Sequence, residues 1–456
     1  MRVSMAGTLP AAPTLGTMST SGLRRSLQVI EVPAGVEAVP ALWDPLDIAL
    51  GGGPPIALVP QTSSAIAPAF TESIRAAIQP SSPVDQGTAV VLSTSGSTGR
   101  PRGVALSASA LTSLSAQVNQ LAGGEPAWVL ALPPTSIGGL NVLIRARSTG
   151  LAPVAVSSIG GAERFTSAGF HEAVTRARAS DRPVAVSLVP TQLPRLLSVG
   201  EGREALAMCS LILVGGAALA PQAARDCAEV GIEVTSTYGM TETSGGCVLN
   251  GSPLTGVDVR IDDTDERIWL SGPMLASGYR DGNNEAFVDG WLRTNDRGRW
   301  LDGRLQVLGR LDDIVTINGV NVDLLAVEDR LRAHAAIEDA IVLAVPTGTG
   351  DISVHAITQG TSVDSKVLGD WVATTLGTPA APKVVHEVTR FELTATGKID
   401  RRATALALGL ELASGDDFGE FDEFDEDPTC ALPPRHLSGL PVHARRRCPQ
   451  RSRPYS

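Results

Sequence analysis

Four short stretches carry the residue types best suited to chemistry. The first is Thr94, Ser95, Gly96, Ser97, Thr98 and Gly99, followed by Arg100-Pro101-Arg102-Gly103. Glycines allow positive φ and close backbone approach, so hydroxyls and N–H groups in such a loop can present donors to phosphate oxygens. No G-x-x-x-x-G-K-[ST] can be read through it, so it is not a Walker loop. The second stretch is Tyr238-Gly239-Met240-Thr241-Glu242. A Tyr ring can stack on a purine, a Thr hydroxyl can bond an α-phosphate, and a Glu can hold Mg²⁺ as a hard oxygen ligand. The third ends in Asp296, a two-oxygen acceptor. The fourth holds Lys398, one of three lysines (with Lys366 and Lys383) in a chain that carries 34 arginines.

These stretches need elements to hold them. From Leu27 to about residue 310, short apolar runs alternate with helix-like segments. Ala89–Leu92, Trp128–Leu132 and Leu211–Val214 read as strands, and Ser109–Leu121 as a helix. The alternation predicts an α/β class with parallel sheets, and the unbroken apolar strands predict sheets covered on both faces. Ligands in such folds sit at the carboxyl ends of strands, where the glycine-rich loops fall. Residues 254–309 read as a small β section. Beyond 310 a small mobile α+β domain is expected, with helices over Leu324–His334 and Lys366–Leu376. The expected organisation is a leader over 1–25, a large layered N-terminal domain over 26–310, the mobile C-terminal domain over 311–412 and a tail over 413–456. Eight acidic residues in Asp416–Asp427 and six arginines in 428–456 predict that the tail is disordered.

Composition excludes several classes. A net charge of −11 argues against nonspecific binding to nucleic acid or anionic membranes. No apolar run is long enough for a membrane span or a secretory signal, which predicts a cytoplasmic protein. Five cysteines without a C-x-x-C pair read as reduced thiols, and six histidines without H-x-x-x-H or H-E-x-x-H argue against a zinc hydrolase.

In order and spacing, the stretches resemble the motifs of the adenylate-forming enzymes: acyl-CoA synthetases, nonribosomal peptide adenylation domains and luciferases. The ten residues from Thr94 are similar to that superfamily's phosphate loop, with Arg102 where Lys is usual; the charge is kept, so the resemblance implies that Arg102 contacts phosphate. Tyr238–Glu242 resembles its second hallmark, and Gly215-Gly216-Ala217 its adenine-facing turn. Trp291–Asp296 resembles Y/W-x-x-T-G-D, whose carboxylate binds the ribose hydroxyls. Asn295 takes the Gly position there and is expected as an αL-type replacement. Gly309–Asp313 resembles G-R-x-D-D, which implies that Arg310 contacts the nucleotide and that Asp312 is a hinge. Asn318 departs from the glycine of the continuation. Leu393–Arg401 resembles the terminal Gly-Lys motif, which implies that Lys398 bridges the carboxylate substrate and the α-phosphate. The resemblance covers roughly residues 27–410. It implies ATP, Mg²⁺ on Glu242, a small carboxylic acid and CoA as partners, and Lys398, Thr241 and Glu242 as catalytic.

Two further stretches narrow the acid. Val186 to Leu197 is similar to S-L-V-P-T-Q-L-x-R-L-L of the o-succinylbenzoate–CoA ligases of menaquinone biosynthesis. Leu132 to Arg145 resembles the substrate-side L-P-x-x-H-x-x-G, with Ser136 at the His position and Gly139 at the Gly. That acid has two carboxylates, and Arg145 with Ser187 is the candidate pair for the ring carboxylate. Another aryl- or acyl-CoA ligase, an enzyme loading a carrier protein, or a catalytically silent nucleotide-binding regulator remain as alternatives.

Overall fold

In the computed structural model, the described residues are 24–63, 66–94, 101–219, 221–317, 320–347, 352–392 and 399–410. The expected tail, nearly all of the leader, Asn318, Ser95 to Gly99 and Lys398 lie outside them. Arg24–Arg25, at the end of the expected leader, form a short strand paired with Val84–Asp85.

Two sheets build the N-terminal region. One runs in the order Gly278–Tyr279, Gly103–Ser107, Thr88–Ser93, Ile56–Pro60, Gln28–Val32; its last three strands are parallel, and its first two pairings are antiparallel. The other has seven strands. Val154–Ala155, Ala127–Leu130, Val184–Leu188, Leu211–Val214 and Thr235–Met240 are parallel, then Gly245–Leu249 and Ser252–Pro253 turn back antiparallel.

Burial explains why the strands are apolar throughout. Alternate residues of one strand enter two different cores. Trp128, Leu130, Ala185, Leu211 and Leu213 face the core shared with the first sheet and the helix Ile137–Ser148. Val129, Val186, Leu188, Ile212 and Val214 face Phe170 and Val174 of the helix Ser167–Arg178. A sheet with both faces dry has no polar side, so period-two alternation is lost. The small β section and the C-terminal sheet form as expected: the latter joins Ile337–Pro346, Ile352–Gly360 and Val384–Glu387 behind the helices Leu324–Arg332 and Ser365–Leu376.

Two local expectations are corrected. The helix expected over Ser109–Leu121 is two helices, Ala108–Thr112 and Ser115–Leu121. Thr112 Oγ1 donates to the Ala108 carbonyl (2.9 Å) and Ser113 Oγ to the Ala110 carbonyl (2.8 Å); such back-bonding competes with the helical ladder. Asn295 is not in the left-handed region. It lies within the extended strand Trp291–Leu301, where its side-chain oxygen accepts from Arg267 Nη1 at 2.9 Å. The same guanidinium bonds the Thr294 carbonyl, so Asn295 adds an anchor beside Asp296 instead of a turn. No helix among the described residues is long and apolar enough to cross a membrane.

Candidate active site

Three chain segments of the candidate site stand at the carboxyl ends of strands, two of them on neighbouring parallel strands of the seven-stranded sheet and one on the other sheet. Thr94 follows the strand Thr88–Ser93, Gly215-Gly216 follow Leu211–Val214, and Tyr238 to Met240 close Thr235–Met240. Thr94 N donates to the Arg102 carbonyl (2.8 Å), and Arg102 N to Thr94 Oγ1 (3.2 Å). The two ends of the Ser/Thr/Gly loop are thus pinned together. At Gly215 a side chain would collide with Thr237 Oγ1, so the turn before Ala217 packs directly on the neighbouring strand. Gly239 takes φ +156° and lies against the backbone of Gly245, which excludes a Cβ there.

Two carboxylates belong to this candidate site. Glu242 sits in the turn Thr241–Thr243 with Tyr279 Oη donating to its Oε1 at 2.8 Å. Burial pushes its carboxyl up from the usual range, the hydrogen bonds and the Arg102 charge oppose that, and the charge of Asp296 adds to it. Asp296 accepts from Tyr238 Oη (2.8 Å) and lies 3.6 Å from Arg310 Nη1; burial raises it too, against Arg310 and Tyr238. Tyr238 is therefore tied to the carboxylate expected to meet ribose, its hydroxyl pushed well above its ordinary value by burial. Arg310 also donates to Asp312 (2.7 Å), so one guanidinium joins the ribose candidate to the hinge candidate.

Mg²⁺ fits this site in one way. Among the described residues no group of three or more His, Cys, Asp or Glu could hold a metal. Glu242 offers one carboxylate, which suits a cation that keeps waters and takes its remaining ligands from nucleotide phosphates.

On the acid side, Ser136 caps the helix Ile137–Ser148, accepting from Gly139 N (3.4 Å) while donating to the Pro133 carbonyl (2.7 Å). The hydroxyl at the usual His position is thus occupied with a helix start, which the Ser-x-x-Gly spacing before an apolar run could have signalled. Arg145, two turns on, is 7% exposed. Its guanidinium has no hydrogen-bond or ion-pair partner among the described residues, and the Trp128 ring lies 5.4 Å away. Burial pulls it down to about 10. It opens on a chamber of about 10 Å³, room for one water, lined also by Ser115, Asn141 and Ser244. Ser187 is buried on the face of the seven-stranded sheet that carries Trp128, but does not line that chamber.

Two residues of this cluster were not singled out from the sequence. Tyr279 and Asp281 reach it because Gly278–Tyr279 pairs with Gly103–Ser107 across the chain, a contact with no local signal.

The fold and the two-carboxylate site define a class, and the chain belongs to it: the AMP-binding enzyme family. The AMP-binding enzyme model matches residues 45–280 and the AMP-binding enzyme C-terminal domain model residues 326–398. Within that family the chain is similar to a Mycobacterium tuberculosis protein named "Probable 2-succinylbenzoate–CoA ligase", 36% identical over 83% of this chain and 97% of the relative. Two solved structures of o-succinylbenzoate coenzyme A synthetase from Bacillus subtilis share its fold. The one with the acyl-adenylate intermediate has a TM-score of 0.63, 22% identity, and coverage of 83% of this chain and 88% of that one. The one with ATP and magnesium has a TM-score of 0.61, 22% identity, and coverage of 83% and 90%.

Proposed function

We propose that this chain is a Mg·ATP-dependent acid–thiol ligase acting on 2-succinylbenzoate and CoA in the cytoplasm. The class rests on family membership, and the acid on the 36% identity that spans nearly the whole of the relative. The structural observation that carries the acid is Arg145, a buried cation without a hydrogen-bond or ion-pair partner among the described residues, suited to the second carboxylate of a dicarboxylic acid. The small chamber in front of it means that this carboxylate meets the guanidinium through a water or after its wall opens.

In the first step the succinyl carboxylate attacks the α-phosphorus of ATP in line, giving the acyl-adenylate and pyrophosphate. The hydroxyls and backbone N–H groups of the loop that begins at Thr94 cradle phosphates. The turn Gly215-Gly216-Ala217 faces adenine, and Asp296, with Tyr238 behind it, takes the ribose hydroxyls. The Thr241 hydroxyl, which has no partner among the described residues, bonds the α-phosphate. Glu242 holds Mg²⁺, which neutralises phosphate charge when bound. Lys398 follows the charge from attacking carboxylate to leaving pyrophosphate. In the second step the C-terminal domain turns about Asp312, Lys398 withdraws, and the CoA sulfur displaces AMP to give the thioester.

The test is pyrophosphate release dependent on 2-succinylbenzoate, with the thioester detected by mass. Activity with benzoate or fatty acids instead would overturn the acid and leave the class standing. Lys398→Ala is expected to slow adenylation by about 10²-fold or more while still converting supplied acyl-adenylate to thioester. Normal adenylation by that variant removes Lys398 from the first step.

A further inference from the structure

Arg102 stands where related phosphate loops carry Lys, yet its side chain is already committed. Nε donates to Asp281 Oδ2 (2.7 Å), and Nη2 to Asp281 Oδ1 (2.9 Å) and to the Asn283 carbonyl (2.7 Å). The guanidinium also lies over the Tyr279 ring, its Cζ 3.5 Å from the centroid. The far end of that ring is the hydroxyl that donates to Glu242 Oε1. Tyr279 is therefore held between the cation of the loop and the carboxylate assigned to Mg²⁺. The turn beyond it is braced as well: Arg280 N donates to the Gly103 carbonyl, and Tyr279 N to Asn284 Oδ1. A lone half-exposed ion pair does little, but a two-pronged pair with a stacked face and a backbone acceptor fixes one geometry. Lys can make neither the fork nor the stack.

We propose that Arg102, Asp281 and Tyr279 form a clamp that positions the Glu242 carboxylate and the exit of the phosphate loop. Arg102 acts in it as a positioning residue, not as a phosphate contact. The clamp rests on the reading of Glu242 as the Mg²⁺ carboxylate. Its test needs only ATP, so it does not depend on which acid is activated.

The full-length chain is titrated calorimetrically with ATP, with and without Mg²⁺, for the wild type, Arg102→Lys, Asp281→Asn and the pair combined. Each single change is expected to weaken Mg·ATP by about tenfold, with the pair no weaker than either, since both break one unit. Arg102→Lys, the residue usual in relatives, thus impairs this chain. A phosphate-contact role predicts instead that Arg102→Lys binds normally and that Asp281→Asn, by releasing the cation, binds as well or better; either result overturns the clamp. Tyr279→Phe removes only the hydroxyl and is expected to weaken binding with Mg²⁺ while leaving Mg²⁺-free ATP binding unchanged. Equal effects in both conditions, or none, break the link to Glu242. A wild-type chain that does not bind ATP overturns the functional reading together with the clamp. Wild-type binding with unaltered variants overturns the clamp alone.

Discussion

Two arginines, one in each half of the molecule, show opposite answers to the same problem. Arg145 in the helix Ile137–Ser148 is buried with no hydrogen-bond or ion-pair partner among the described residues, only the Trp128 ring nearby, and burial pulls its proton affinity down to about 10. Arg332 ends the helix Leu324–Arg332 amid acceptors: Glu328 (3.2 Å), Asp329 (3.1 Å), Asp339 (2.8 Å) and the Ala340 carbonyl (2.6 Å). Burial lowers its proton affinity too, but the charges of Glu328 and then Asp339 more than restore it. Both stay charged at neutral pH, because a guanidinium does not deprotonate there. A buried charge is tolerated only when something compensates it. For Arg332 the compensation is built into the chain, so the residue belongs to the fold. For Arg145 the described residues supply only the face of the Trp128 ring, 5.4 Å away, and on the proposed reading the rest comes from a ligand.

The largest effect expected from this contrast is on stability at the paired site. Glu328 is almost fully buried, receives Val342 N (2.8 Å) and Arg401 Nη1 (2.6 Å) besides Arg332, and is pushed up by burial in spite of both cations. Glu328→Gln removes the charge that holds two arginines and should cost about 3–5 kcal/mol, measured from the urea unfolding midpoint at neutral pH. A loss well under 1 kcal/mol would mean that solvent already screens the cluster, and the contrast would collapse.

The unpaired site should respond the other way. Arg145→Met keeps much of the stem volume and removes an uncompensated buried charge, so stability should hold or rise by roughly 1 kcal/mol. On the proposed reading the second carboxylate of the acid loses its partner, so kcat/KM for 2-succinylbenzoate should fall by about tenfold or more while KM for ATP holds. A variant that unfolds like Glu328→Gln makes Arg145 part of the fold; one that retains full activity breaks the substrate assignment.

The sequence singled out Arg145 through the resemblance of its stretch to the substrate-side motif, but it did not show which arginine would lack ion-pair partners. Two partners of Arg332, Glu328 and Asp329, stand at helical spacing and are legible in the sequence, while Asp339 comes from the strand Ile337–Pro346. The isolation of Arg145 depends on where the helices Ala108–Thr112 and Ser115–Leu121 and the strand Gly245–Leu249 come to rest around it. The layered sheets were legible because strands buried on both faces are apolar throughout, and the loops after them because glycines and hydroxyls punctuate those runs. Asn295 was misread because an Asn in place of Gly suggests a turn, while here a distant Arg267 holds it in an extended strand. Tyr279 was missed for a similar reason: sheet pairing brings Arg102 to it, and a backbone hydrogen bond from Ala276 N to the Glu242 carbonyl brings Glu242, contacts far apart in sequence.

A histidine pair offers the smallest test and a third answer to the same problem. His355 in Ile352–Gly360 and His386 in Val384–Glu387 place Nδ1 and Nε2 3.3 Å apart with their rings stacked. Burial lowers the proton affinity of both, and the charge of His386 lowers that of His355 further. Unlike arginine, these rings can shed the proton, and one then donates to the other. Because the folded values lie below the unfolded one of about 6.5, the unfolded chain binds more protons as pH falls through that window. The pair should therefore contribute nothing to pH dependence above pH 7 and should lower stability progressively below about pH 6.5. His386→Phe keeps a stacked ring and removes one titrating group, so its unfolding midpoint should fall less steeply than the wild type's between those conditions. The Glu328 cluster titrates in acid as well, so the comparison belongs at the weakly acidic end. Parallel profiles would mean that the imidazoles already escape their charge through solvent, leaving the two arginines as the only informative cases.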